Sequence, residues 1–256
     1  GRTALIAGFT LSGMSIGWPI AATIAGHNLV KLGVRFWSRL GGACVFSGAA
    51  LLALFASQGP IVAGFSAFIA GFEMSARMGA GGLGRRLQFK GFHPSSVFGR
   101  YAAATAASVL LGLDKDQVAN ALGVAGTTAG GLNASFGTMS KPFHLGKAAM
   151  DGLLAAQLAS EGFEAATTLF DAPNGLAATL IQDGSATLKV TGFTAGESLL
   201  RNAYKPYACC KATHACVDGA RKLSAEVSPE QIDRIVLGAS PMTLAVAAKP
   251  NPQTPL

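Results

Sequence analysis

Three short segments of this 256-residue chain set a histidine or a lysine beside a proline where a helix is about to begin. Gly91-Phe-His93-Pro-Ser-Ser-Val-Phe-Gly99 places an imidazole directly before the proline. Ser140-Lys141-Pro-Phe-His144-Leu-Gly146 puts an ammonium and an imidazole on a turn ahead of a helix expected over 147–161. Tyr204-Lys205-Pro-Tyr-Ala-Cys-Cys-Lys-Ala-Thr-His214 repeats the Lys-Pro device before another expected helix. Helix entrances present free amide donors and the positive end of the helix dipole, which suits carboxylates. A lysine held there adds a point charge, and the proline limits the backbone freedom around it. Any one of these lysines, taken alone, reads as a solvated surface residue. Three such segments in one chain point instead to an anion site with an imidazole in it. Fixed cations and amide donors of this kind stabilise negative charge on a bound carboxylate, and an imidazole beside them can handle a proton. An imidazole with a pKa near 6.5 gives or takes the proton.

Two other patterns carry less. Gly79-Ala-Gly81-Gly-Leu-Gly84 has the spacing of a dinucleotide-binding loop, but that loop needs a strand before it. Phe68 to Met78 has helical character instead, so the segment reads as a flexible loop. Cys209, Cys210, His214 and Cys216 invite a metal reading. Adjacent cysteines do not match the usual C-x(2–4)-C start of a zinc site, and on a helix the two pairs would face different ways. No metal is expected, and the cysteines read as small hydrophobes.

The elements that must position these groups are mostly helices. Val97 to Leu111 is an alanine-rich helix, and Asp114 with Gln117 makes a capping box for the next. Lys147 to Glu161 is a third, with Leu153, Leu154 and Leu158 on one stripe and Gly162 as its stop. Thr213 to Ala225 is a fourth. Ser228-Pro-Glu-Gln231 signals a further helix start, and Ile235-Val-Leu237 a strand.

Half of the chain is hydrophobic and only 13% is charged, well below an average domain at roughly 25%. The formal charge is +7, yet Lys and Arg are scattered, with no run longer than Arg85-Arg86. That argues against nucleic acid as a partner and suits an enzyme of anionic substrates. Four cysteines, three of them clustered, make no secreted disulfide framework, so a reducing, cytoplasmic setting is expected.

The first 58 residues differ in texture. Thr3 to Asn28 and Leu40 to Phe72 lack charged side chains altogether, and each is long enough to cross a bilayer. The basic, aromatic stretch Lys31-Leu-Gly-Val-Arg35-Phe-Trp-Ser-Arg39 lies between them, as in a membrane hairpin with a cytoplasmic turn. Gly17-Trp-Pro-Ile-Ala-Ala-Thr-Ile-Ala-Gly26 followed by Leu32-Gly-Val-Arg35 resembles a helix–loop–helix unit of major facilitator transporters. Two buried helices of a soluble protein are the alternative. Membrane association of residues 1–58 stays open at this point, as does a fused reading frame.

From about Gly59 onward a second resemblance is specific. Gly-Phe-His-Pro-Ser-Ser-Val-Phe-Gly is followed by Leu-Gly-Leu-Asp-Lys-Asp-Gln with Ala-Leu-Gly-Val-Ala-Gly. Lys-Pro-Phe-His-Leu-Gly-Lys-Ala-Ala and Lys-Pro-Tyr-Ala-Cys-Cys-Lys-Ala-Thr-His-Ala come next. In order and spacing these resemble the MmgE/PrpD family, which includes 2-methylcitrate dehydratase, cis-aconitate decarboxylase and iminodisuccinate epimerase. The resemblance implies a mainly α fold, with a helical core over 59–203 and the start of a smaller α+β lid over 204–256. The apolar hairpin of 1–58 precedes them. It implies a lyase acting on a small di- or tricarboxylate, a homodimer, and no cofactor. Carried across residue by residue, it implies catalytic roles for His93, Lys141 and Lys205, with His144 and His214 against the substrate.

The family pattern also includes an upstream segment of the form Ala-His-Ala-Leu-Asp-x-Asp-Asp that supplies acid/base groups. The first 58 residues hold no Asp or Glu and only His27. Low turnover by this chain alone is therefore the expectation, with the lid also cut short after Leu256. A membrane-transport fragment and an inert binding or dimerisation module derived from the enzyme are the competing readings.

Overall fold

In the computed structural model, the described residues are 59–79, 83–170, 172–182 and 196–248. The transporter-like hairpin assigned to residues 1–58 lies outside them. Nine α-helices are found among the described residues, and no strand: α1 Gly59–Met78, α2 Gly84–Phe89, α3 Pro94–Leu111, α4 Lys115–Thr127, α5 Ser140–Ser160, α6 Leu176–Ile181, α7 Glu197–Leu200, α8 His214–Leu223 and α9 Pro241–Ala247. None of them is long and apolar enough to cross a membrane.

The mainly α expectation holds, and α3 is the hub. It packs against α1 on one side and α5 on the other, with α4 resting on both α3 and α5. The start of α3 is dictated locally. Proline disfavours helical backbone in the residue before it, so His93 stays extended (φ −84°, ψ 106°) while Pro94 opens the helix where a missing N–H costs nothing. Its end is a Schellman closure: the Gly112 N–H donates to Val109 O at 3.2 Å and the Leu113 N–H to Ser108 O at 3.0 Å. Gly112 takes the left-handed conformation this closure requires (φ 66°). The α4 capping box forms as expected, with Asp114 accepting from Asp116 and Gln117 N–H groups and the Gln117 side chain accepting from Asp114 N–H.

Helix α5 departs from expectation in two ways. It begins at Ser140, not at Lys147, so Lys141 and His144 ride on the helix itself. Pro142 falls in the first turn, where backbone N–H groups have no intrahelical partner, and does not break the helix. Its buried stripe is Ala148, Asp151, Gly152, Ala155, Ala156 and Ala159, whereas Leu153 and Leu154 are each 49% exposed. Small residues win the interface because they let α3 and α5 approach closely. A Cβ on Gly152 would sit 2.5 Å from both Arg100 O and Ala103 Cβ. Gly162 does stop the helix, as expected, with its N–H on Ala159 O and the Phe163 N–H on Leu158 O.

The larger apolar side chains gather beside α3, where Tyr101, Val97 and Phe98 pack with Met78, Leu83, Leu87, Leu176 and Ile181. Buried Glu73 of α1 ties in the later chain, accepting from the Ser198 N–H at 2.7 Å and the Leu199 N–H at 3.2 Å. Burial alone would raise the Glu73 pKa, but these bonds and the nearby Arg77 bring it below the ordinary carboxylate value.

Beyond α7 two local readings change. Ser228 does form a capping box with Gln231, but the element it starts is a single 3-10 turn, Pro229–Gln231. Ile235-Val-Leu237 is not a strand. Its side chains are exposed and no ladder partner lies beside it among the described residues.

Candidate functional site

The site is assembled where the entrance of α3 meets the first turns of α5. His93 is buried, and its ring nitrogen Nδ1 lies 3.1 Å from Nδ1 of His144. Because Lys141 and His144 are three residues apart on α5, they share one face of it. The Lys141 ammonium sits 4.9 Å above the Phe136 ring, and that ring meets His93 edge-on at 4.8 Å between centroids. Two imidazoles, one ammonium and one aromatic wall therefore converge.

The loop 130–133 holds His93 from the other side. Gly131 O accepts the His93 N–H at 2.9 Å, and Gly91 O accepts the Asn133 N–H at 2.8 Å, on either side of the bridge between Phe92 and Leu132. The Asn133 side-chain amide donates to Gln88 O at 3.0 Å and latches the loop to α2. Gly131 adopts φ +117° and lies flat on Ser96. A Cβ there would meet Ser96 Oγ at 2.5 Å and Ser96 Cβ at 2.6 Å.

Underneath runs a buried ionic network. Arg100 Nε donates to Asp151 Oδ2 at 2.9 Å, and its Nη1 donates to Ser96 O at 2.5 Å, to Ser96 Oγ at 3.1 Å and to Gly130 O at 3.1 Å. Lys147 holds the other Asp151 oxygen.

These surroundings set the protonation of the pair. Burial, then the His144 ring and the Lys141 charge, push the His93 pKa down from 6.5 to about 4. His144 is lowered as well, by burial and by the Arg100 charge. At neutral pH both rings are neutral, so of the two facing Nδ1 atoms one carries the proton and the other accepts it. Sequence reasoning gave His93 an ordinary pKa, and the buried setting corrects that.

The five residues singled out in the sequence are thus divided. His93, His144 and Lys141 come together. Lys205 is exposed, in irregular chain several residues ahead of a 3-10 turn (Lys211–Thr213) that leads into α8, so it does not stand at a helix entrance. His214 is the buried first residue of α8. Its Nε2 is 3.4 Å from Cys209 O, and its ring meets Tyr207 edge-on at 5.2 Å. No hydrogen bond, ion pair or ring contact joins Lys205 or His214 to the first three. No group of three or more metal-ligating side chains occurs among the described residues. The dinucleotide loop's first condition also fails, since Gly79 follows helix α1.

Arg100, Asp151, Phe136 and Gly131 escaped the sequence reading. One signal was available: Asp151 stands on the small-residue stripe of α5, three residues after Ala148 and four before Ala155. A charge on such a stripe needs a buried partner, and Arg100 on the facing helix supplies it.

Two imidazoles and a lysine thus meet on a scaffold that is helical throughout its described elements. The chain belongs to the MmgE/PrpD family, and the model of the MmgE/PrpD N-terminal domain matches residues 49–189. That match starts ten residues before the boundary placed at Gly59 from composition. Among curated relatives, a cis-aconitate decarboxylase of Aspergillus terreus is 34% identical over 190 residues, 70% of this chain and 39% of the relative. A cis-aconitate decarboxylase-like protein of Aspergillus oryzae is 34% identical over 165 residues, 61% of this chain and 34% of the relative. The human cis-aconitate decarboxylase is 40% identical over 89 residues, 35% of this chain and 18% of the relative. The chain thus spans about two-fifths, or less, of the length of these relatives.

Proposed function

We propose that this chain carries the polycarboxylate-binding part of a lyase site whose substrate is a small di- or tricarboxylate such as cis-aconitate. The observation that carries the proposal is the meeting of His93, His144 and Lys141 in one place. Lys141 offers a fixed cation to one carboxylate, and charge that develops on that group during reaction is stabilised there. His93, neutral at pH 7, accepts or donates a proton at Nε2, with His144 holding the Nδ1 side of the ring. Burial, with the His144 ring and the Lys141 charge, keeps His93 unprotonated until the substrate's own negative charge arrives and raises its pKa.

Decarboxylation would release CO2 and leave an electron pair on carbon, conjugated to a neighbouring carboxylate, and the imidazolium formed once substrate is bound would then protonate that carbon and return to the neutral ring. Dehydration would instead begin with proton removal and end with loss of hydroxide. Both pass through a carbanion of the same kind, stabilised by a neighbouring carboxylate, and decarboxylation is favoured by the names of the relatives. Lys205 and His214 are proposed as further substrate contacts, from the family motif alone. A homodimer without a cofactor is part of the same proposal, as is low turnover by this chain alone.

The test is thermal stabilisation by cis-aconitate, citrate and 2-methylcitrate, with acetate as control, alongside product analysis by proton NMR. Stabilisation by the tricarboxylates, lost in Lys141→Ala and in His93→Ala, is the expected result. Equal shifts in all three proteins would refute the reading. Stabilisation with no turnover would identify an inert binding module.

A further inference from the structure

We propose that Arg100 is a positioning residue of this site, locking the backbone on both flanks of the imidazole pair so that His93 and His144 meet Nδ1 to Nδ1. The proposal rests on the reading of His93 and His144 as the proton-handling pair, but its geometry stands apart from any particular substrate.

Arg100 touches every segment that carries the pair. Ser96, one turn before it on α3, follows His93 by three residues and gives two acceptors, O and Oγ. Gly130 O belongs to the loop whose next carbonyl, on Gly131, takes the His93 N–H. Asp151 lies on α5, seven residues after His144 and so on the same side of that helix. One planar guanidinium therefore fixes the start of α3, the 130–133 loop and α5 against each other. The contacts to Ser96 and Asp151 are buried and the one to Gly130 is half-buried, so loss of the donor leaves partners unsatisfied away from water. A lysine cannot replace it, because a single ammonium lacks the rigid fork that reaches Asp151 in one direction and three oxygens in another.

The arrangement also explains an otherwise costly choice. A buried Arg–Asp pair adds little to stability compared with apolar packing. Its use here, at the contact between α3 and α5 that the site depends on, is accounted for by the register it imposes. The charged and titratable groups facing the pair are Lys141 and Arg100, with Lys147 and Asp151 behind Arg100.

The experiment is nitrogen-15 NMR of the histidine rings in the full chain, comparing wild type with Arg100→Lys, Arg100→Met and Asp151→Asn. In wild type at pH 7, one of the two rings is expected to be protonated at Nδ1 and the other at Nε2. In Arg100→Lys, which keeps the charge, that complementary pattern is expected to be lost, with both rings becoming tautomer mixtures. In Arg100→Met the same loss is expected, and the His144 pKa additionally rises because a positive neighbour is gone. Asp151→Asn should shift the pattern in the same direction to a smaller extent. An Arg100→Lys protein with native circular dichroism and wild-type tautomers overturns the proposal. If that variant does not fold, wild-type tautomers in Asp151→Asn overturn it equally. Failure of carboxylate binding, with the tautomer result as expected, would instead count against the proposed function alone.

Discussion

Replacing Gly131 by alanine tests the cradle beneath His93 with a single methyl group. Two costs add. The backbone at Gly131 has φ +117°, a conformation that costs an L-residue about 1–2 kcal/mol. The new Cβ would also lie 2.5 Å from Ser96 Oγ and 2.6 Å from Ser96 Cβ. Ser96 cannot retreat, because its carbonyl and hydroxyl are both held by Arg100 and its backbone is in α3. Overpacking of this kind costs about 1–3 kcal/mol. The total is about 2–5 kcal/mol, which for a domain of this size lowers the melting temperature by about 4–20 °C. Gly130 is the matched control. A Cβ there meets nothing within 4 Å, so Gly130→Ala should stay within about 0.5 kcal/mol of wild type. The assay is thermal unfolding by circular dichroism of the three proteins. A Gly131→Ala protein melting with Gly130→Ala and wild type would refute the packing described for the loop, and with it the placement of His93.

Removing Asp151 should be more damaging than removing its exposed partner. Asp151→Ala strands the buried Arg100 charge and should cost about 3–5 kcal/mol by chemical denaturation, whereas Lys147→Ala should cost under about 1 kcal/mol. Stability should also fall in acid. The folded His93 pKa is about 4 against 6.5 unfolded, so between these values the unfolded chain binds more protons and each step down in pH favours unfolding. Melting temperatures from pH 7 down to pH 4 check this, with a shallower slope expected in His93→Gln. Lys141→Met should raise the His93 pKa, because a positive neighbour that disfavours protonation is gone, and proton NMR of the ring reads it directly.

The helices were largely legible because their signals are local. Asp114 with Gln117, Pro94 and Gly162 each fix an end through a few neighbouring atoms, and all three did so as read. The start of α5 was misplaced because residues 140–146 were read as a turn, whereas Pro142 in a first turn is compatible with helix from Ser140 onward. The stripe of α5 was misread for a different reason. Leucine periodicity marks an apolar face, but close contact between α3 and α5 selects alanine and glycine, so Leu153 and Leu154 were left outside and Leu158 is half-buried. At the site, residue types and their turns were enough to find His93, His144 and Lys141. Their meeting depends on Arg100, Asp151 and the loop 130–133, which are brought together across some fifty residues of sequence and leave no local pattern. Lys205 looked equivalent to Lys141 because both precede a proline, yet only Lys141 stands on a helix.

Calorimetric titration of cis-aconitate at pH 7 into wild type and Lys141→Ala tests the central claim most directly. A charge-assisted contact contributes about 1.5–3 kcal/mol, so binding to the variant should be about 10- to 100-fold weaker. Equal affinities would mean that Lys141 faces no carboxylate, and the site beside His93 would then not be a polyanion site.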